Sequence, residues 1–132
     1  MDNNLDKLAA QCAQQIIKDT TASNSSEVDN LVTKTLGVLQ DQGVYAATLF
    51  LFSRTSKADQ AIAPTIRQKL FELISTLVPR TTLPPNNAQD ALKFVTEHVA
   101  DDIDTLFLVK QVWEQTLIYA RYGAKAAGKE GG

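Results

Sequence analysis

The chain holds one cysteine and one histidine, Cys12 and His98, and these are the first residues to test for chemistry. A thiol becomes a nucleophile when a nearby base or positive field lowers its pKa, and an imidazole is the usual base. Cys12 and His98 lie far apart in the sequence, and nothing in their spacing brings them together. Cys12 falls on the apolar face of a helical pattern, where a free cysteine behaves as a small buried hydrophobe. Asp101, Asp102 and Asp104 offer carboxylates but lack the alternating oxygen ligands and the glycine of a calcium loop. First-turn acids facing a helix dipole account for them. The sequence has no G-x-G-x-x-G, no G-x-x-x-x-G-K-[ST] and no G-x-S-x-G. A single cysteine excludes an internal disulfide and an all-cysteine zinc site. The expectation is a protein that is not an enzyme, with no catalytic residue, no metal and no cofactor. A scattered site built on His98 and its acidic neighbours would be the exception, and His98→Ala is its test.

Cations with aromatic neighbours are the remaining functional pattern. Arg54 and Lys57 are three residues apart at the end of an apolar segment. Arg121 and Lys125 are four apart, so they share one face of a helix, and Lys129 continues the row. Tyr119 and Tyr122 flank that row. Such a set can hold a nucleic-acid strand, with cations on phosphates and rings on bases. It can equally be a helix C-terminus favoured by the dipole, with tyrosines sealing the edge of the core. Arg67 and Lys69 are weaker candidates, because they can face a neighbouring protein.

The overall balance limits what these cations can do alone. Thirteen Lys and Arg stand against fifteen Asp and Glu, a formal net charge of −2. Proteins that bind nucleic acid unaided concentrate an excess of bases, since phosphate neutralisation supplies most of the affinity. Here the charge is uneven instead. Residues 54–80 carry Arg54, Lys57, Arg67, Lys69 and Arg80 against Asp59 and Glu72. Residues 97–104 carry Glu97, Asp101, Asp102 and Asp104 with no base but His98. Residues 110–132 carry Lys110, Arg121, Lys125 and Lys129 against Glu114 and Glu130. This is either an ordinary solvated surface or a docking surface that reaches phosphates only when another protein holds it beside them.

The elements that position these residues read as helices. Leu5, Leu8, Ala9, Cys12 and Ile16 form one helical face up to about Asp19. Thr20 to Ser26 is a polar loop, and Ser25 or Ser26 can cap a second helix carrying Val28, Leu31, Val32, Leu36 and Leu39. Gly43 ends it. Val44 to Phe52 is apolar on every side, and periodicity alone cannot tell a buried strand from a buried helix. No partner strand exists elsewhere, so the segment is predicted to be a buried central helix. Ile62, Ile66, Leu70, Leu73, Ile74 and Leu77 mark a fourth helix, expected to begin at Ala63 or Pro64 because a first-turn proline costs nothing. Pro79 to Asn87 is a loop. Asn86 or Asn87 can cap a fifth helix, and Leu106, Val109, Trp113, Leu117 and Ala120 mark a sixth. The prediction is an all-α, compact bundle of about six helices, with residues 1–122 as one helical domain and 123–132 as a flexible, glycine-rich C-terminal tail.

Length and hydropathy agree with one such domain. The longest apolar run, Val44 to Phe52, is about half of what a membrane-spanning helix needs. The opening residues show neither a basic region nor an apolar stretch, so a cytoplasmic location without membrane contact is expected.

The stretch Leu39-Gln40-Asp41-Gln42-Gly43-Val44-Tyr45-Ala46-Ala47-Thr48-Leu49-Phe50-Leu51-Phe52-Ser53-Arg54 resembles a feature of the small helical subunits of type III CRISPR effector complexes, most of all the Cmr-type small subunit. There a helix ends in a polar residue plus glycine, and a short Thr-containing, Leu/Phe-rich helix follows and finishes in a Ser or a base. Gly43, Thr48, Leu49, Leu51, Ser53 and Arg54 match that plan, as do the all-helical order and the basic end around Tyr119 to Lys125. Between Gly43 and Thr48 this chain has one residue more than the usual pattern, and Tyr45 stands where a small residue is common. The resemblance implies a non-catalytic subunit that serves antiviral defence. Several copies would stack along the complex, beside the backbone subunits and below the large subunit, and line the channel where target RNA pairs with guide RNA. By matched position it makes Arg54 and Lys57 the first RNA contacts, followed by Arg121 and Lys125.

A different class of function is a helical adaptor or homodimerisation module that binds no RNA. Its mark would be an exposed apolar patch around Leu106, Phe107 and Leu108, since three consecutive apolar residues cannot all face one core.

Overall fold

The computed structural model describes residues 4–79 and 81–130; Arg80, counted above among the bases, and the last two residues of the expected tail lie outside them. Six α-helices account for 81% of these residues, and no strand occurs among them: α1 (Leu5–Asp19), α2 (Ser25–Gln42), α3 (Val44–Phe52), α4 (Lys57–Leu77), α5 (Ala88–His98) and α6 (Ile103–Glu130). The all-α bundle predicted from periodicity is the fold.

Side-chain caps set four of the six helix starts. Asn24, rather than either serine after it, caps α2 by accepting from the Ser26 N–H at 2.8 Å. Ser56 accepts from the Asp59 N–H at 3.1 Å and starts α4. The helix therefore begins at Lys57 and runs through Pro64, not from it. Pro64 has no N–H to give the Gln60 carbonyl. The turns on either side are held by Ile62, Ala63 and Ile66, all essentially without solvent contact. Asn87 caps α5 through the Asp90 N–H at 3.0 Å, and Asp102 starts α6 through the Thr105 N–H at 3.0 Å.

Gly43 joins α2 to α3 as a one-residue corner. Its N–H closes α2 on the Leu39 carbonyl at 2.9 Å, and its carbonyl opens α3 by accepting from Ala47 N–H at 3.0 Å. Its φ of +100° lies where side chains other than hydrogen are strained. This corner folds α3 back against α2, and α3 also touches α4, α5 and α6. Val44, Ala47, Thr48 and Leu51 enter the core. The opposite side of α3 is open: Tyr45 is 43% exposed and Leu49 46%.

Helix α6 is the main support. Its 28 residues span roughly 42 Å at the usual rise per residue, and it lies against α1 and α2 along much of that length. Trp113 is wholly enclosed; its indole N–H donates to the Leu70 carbonyl of α4 at 2.9 Å. Phe71 bridges Trp113 and Phe94, each ring centroid 5.9 Å away, and so ties α4 to α6 and α5. The buried Thr20, Thr35, Thr48 and Thr116 each donate to the carbonyl four residues back, so their hydroxyls need no partner from another element.

The C-terminal segment corrects the expectation of a flexible tail from residue 123. The helix continues to Glu130, because its glycines serve close packing rather than freedom. A Cβ on Gly123 would stand 3.1 Å from Ile17 Cγ1, and one on Gly128 2.7 Å from Ser25 Oγ. Ala124 between them is buried. The contact of α6 with α1 and with the start of α2 outweighs the helix-breaking preference of the two glycines.

Candidate functional site

Arg54 follows Ser53, where α3 ends. Three donors converge on the Phe50 carbonyl: the Ser53 N–H at 3.1 Å, the Ser53 hydroxyl at 2.9 Å and the Arg54 Nε–H at 3.1 Å. The Arg54 guanidinium lies 3.8 Å over the Phe50 ring and 3.8 Å from Asp59. It caps the negative end of α3 and stacks on an aromatic ring of the same helix, two roles that hold it to the protein. Lys57, in the first turn of α4, is exposed and has no ion pair or hydrogen bond among the described residues. Of this pair, Lys57 is the cation available to a ligand.

Arg67 and Lys69 are both engaged. Arg67 donates to the Leu51 carbonyl at 3.0 Å and to Asn86 Oδ1 at 2.8 Å, with its guanidinium 4.0 Å over the Phe52 ring. Burial lowers its pKa from the usual value. It locks the end of α3 to the loop before α5. Lys69 stands 3.4 Å from Asp19 and 3.7 Å from Glu72, linking α4 to α1.

The second basic pair lies where the end of α6 crosses the start of α2. Lys125 reaches Asp29 at 3.0 Å. Arg121 is half-buried, its guanidinium 5.8 Å from the Tyr122 ring centroid, and its buried Nε has no hydrogen-bond partner among the described residues. Tyr122 is 60% exposed, and Lys129 is exposed. Together with Ser25 and Ser26, Tyr122, Lys125 and Lys129 line a groove of about 680 Å³. Tyr119 turns the other way and donates its hydroxyl to Asp6 of α1. That bond, with the carboxylate beside it, raises the phenol's pKa. The row of cations thus divides: Arg121 and Lys125 line one helix face with Tyr122, while Tyr119 seals the α1 side.

Cys12 and His98 stay apart, on α1 and α5, which do not touch. Burial is the main cause that pushes the Cys12 thiol up to about 12, and the Glu72 carboxylate adds to it. The thiol donates weakly to the Lys69 carbonyl at 3.5 Å. A thiol in this state is a poor nucleophile. His98 is exposed and stacks on Phe94 with centroids 5.0 Å apart. Asp102 spends its carboxylate on the Thr105 hydroxyl and N–H, which hold its pKa below the ordinary carboxylate value. Among the described residues, no three His, Cys, Asp or Glu side chains stand close enough to share a metal ion, and no helix is long and apolar enough to cross a membrane.

Sequence reasoning missed Asp29 as the partner of Lys125, for the two are far apart in the chain. It also missed the outward side of α3. Tyr45 and Leu49 are four apart, and that spacing is the signal for a shared face. Comparison with family models, with curated proteins and with solved structures finds no match for this chain.

Proposed function

We propose that the protein is a non-catalytic small subunit of a type III, Cmr-type CRISPR effector complex, working in antiviral defence in the cytoplasm. In this reading it stacks with further copies of itself beside the backbone and large subunits and helps hold target RNA against guide RNA. The observation that carries the reading is the α2–Gly43–α3 corner. The sixteen residues from Leu39 to Arg54 that resemble the family form one unit, hinged at a positive-φ glycine and closed by Ser53 and Arg54 on the Phe50 carbonyl.

The state of the cations supports a helper role over independent RNA binding. Arg54, Arg67, Lys69 and Lys125 all have partners within the chain, which leaves Lys57 and Lys129 as the exposed charges around the candidate sites, with Arg121 half-buried but without an ion pair among the described residues. So few phosphate contacts give weak affinity in free solution. They become effective once protein contacts raise the local concentration of RNA.

The test is affinity purification of the tagged protein from its native host. Guide RNA and backbone subunits are expected to co-purify; their absence overturns the reading. In the purified complex, Lys57→Ala combined with Arg121→Ala is expected to weaken retention of target RNA several-fold while the subunit stays incorporated. Unchanged retention would remove both side chains from the RNA path.

A further inference from the structure

We infer that the start of α6 is a docking face for a basic, apolar-faced segment of another protein. Ile103 is 64% exposed and Phe107 61%, and they are four residues apart on one helix face. The helix beneath them is fixed, because Leu106 and Leu108 pack against the core and Val109 is buried. Two large apolar side chains are therefore held rigidly in water, which anchors at binding surfaces share.

The rim defines the partner. Asp101 and Asp102 immediately precede Ile103, and Asp104 lies one turn from Phe107; all three are exposed. Asp102 is used locally by Thr105, but Asp101 and Asp104 have no hydrogen bond or ion pair among the described residues. The first base in the helix is Lys110, which is half-buried. An apolar pair bordered by unneutralised carboxylates is complementary to a segment whose apolar residues are flanked by Lys or Arg.

The described residues of a second copy do not offer that segment. Its other exposed apolar pair, Tyr45 and Leu49, sits on α3, which contains no base. Its arginines beside aromatic rings are turned inward or onto their own rings, as Arg54 on Phe50 and Arg67 on Phe52. Tyr122 has Lys129 in its groove and Arg121 near it, but it is a lone exposed ring with no second large apolar side chain exposed beside it among the described residues. Lys125 next to it is paired with Asp29. The occupant is therefore a different protein.

The probe is a synthetic helical peptide of Leu and Lys with its leucines on one face, titrated calorimetrically into the full chain. Its counterpart with Glu for Lys is the control. The Lys peptide is expected to bind saturably and the Glu peptide not at all, with binding weakened as salt rises from about 0.05 to about 0.3 M. Ile103→Ser with Phe107→Ser is expected to weaken binding by about tenfold or more, as loss of a central anchor does. Asp101→Asn with Asp104→Asn should weaken it several-fold and flatten the salt dependence. Tyr45→Ser with Leu49→Ser should leave it unchanged. Far-UV circular dichroism of each variant confirms that the fold persists. The inference is overturned if the Lys peptide fails to bind, if the Tyr45 and Leu49 variant loses as much as the Ile103 and Phe107 variant, or if light scattering shows a dimer that Phe107→Ser dissolves. None of these outcomes depends on RNA.

Discussion

The two ends of α6 treat their side chains in opposite ways. At the C-terminal end small residues pack closely: Gly123 meets Ile17, Gly128 meets Ser25, and Ala124 is buried between them. At the N-terminal end two large apolar residues, Ile103 and Phe107, stand in water. Residue type alone would assign order to the apolar end and fraying to the glycine end. What decides is the neighbouring surface: α1 and α2 press on the far end of α6, and no described element covers the outward face of its beginning.

Trp113, between the two ends, gives the largest expected effect. Trp113→Ala removes a wholly enclosed indole and the hydrogen bond it adds at the Leu70 carbonyl. A loss of about 3–5 kcal/mol is expected from chemical denaturation, in line with large-to-small core changes. The packed end comes next. Gly123→Val places branches against Ile17, already 3.1 Å from a bare Cβ, and should cost about 1–3 kcal/mol as overpacking. If it stabilises the protein, the end of α6 is loose and the contrast fails. Gly37 is the control, an exposed glycine within α2 with open space around its Cβ position. Gly37→Ala should stabilise by about 0.5–1 kcal/mol through helix preference alone. The smallest change is at the open end: Phe107→Ser should stay within about 0.5 kcal/mol. A larger loss would mean that Phe107 contributes to the fold and is no free anchor.

Much of the architecture was legible because helical faces are local. Val44 to Phe52 was readable as one helix, since an apolar run behind a glycine with no strand partner leaves few choices. The start of α4 was misread at Ala63 or Pro64, whereas the helix begins at Lys57. A first-turn position is the cheapest for proline, but the cap at Ser56 and burial of Ile62 and Ala63 set the boundary earlier. The tail was misread because a glycine looks the same in sequence whether it loosens a chain or lets another helix approach; Ile17 and Ser25 decide that, and both are distant. The cations were visible as charges, but their occupancy was not. Arg54 folds onto a carbonyl four residues back, and Lys125 finds an acid on another helix. A pattern of Lys and Arg shows where positive charge is; its freedom depends on long-range pairing.

Because the chain has a single tryptophan and that ring is sealed from solvent beside Phe71, its emission reports on one place in the molecule. That place is where α4, α5 and α6 converge. A red shift on unfolding would signal water reaching the centre, without any attached dye, while ligands at either rim should leave the colour unaltered. The same indole can therefore serve as an internal lamp that separates loss of fold from loss of binding.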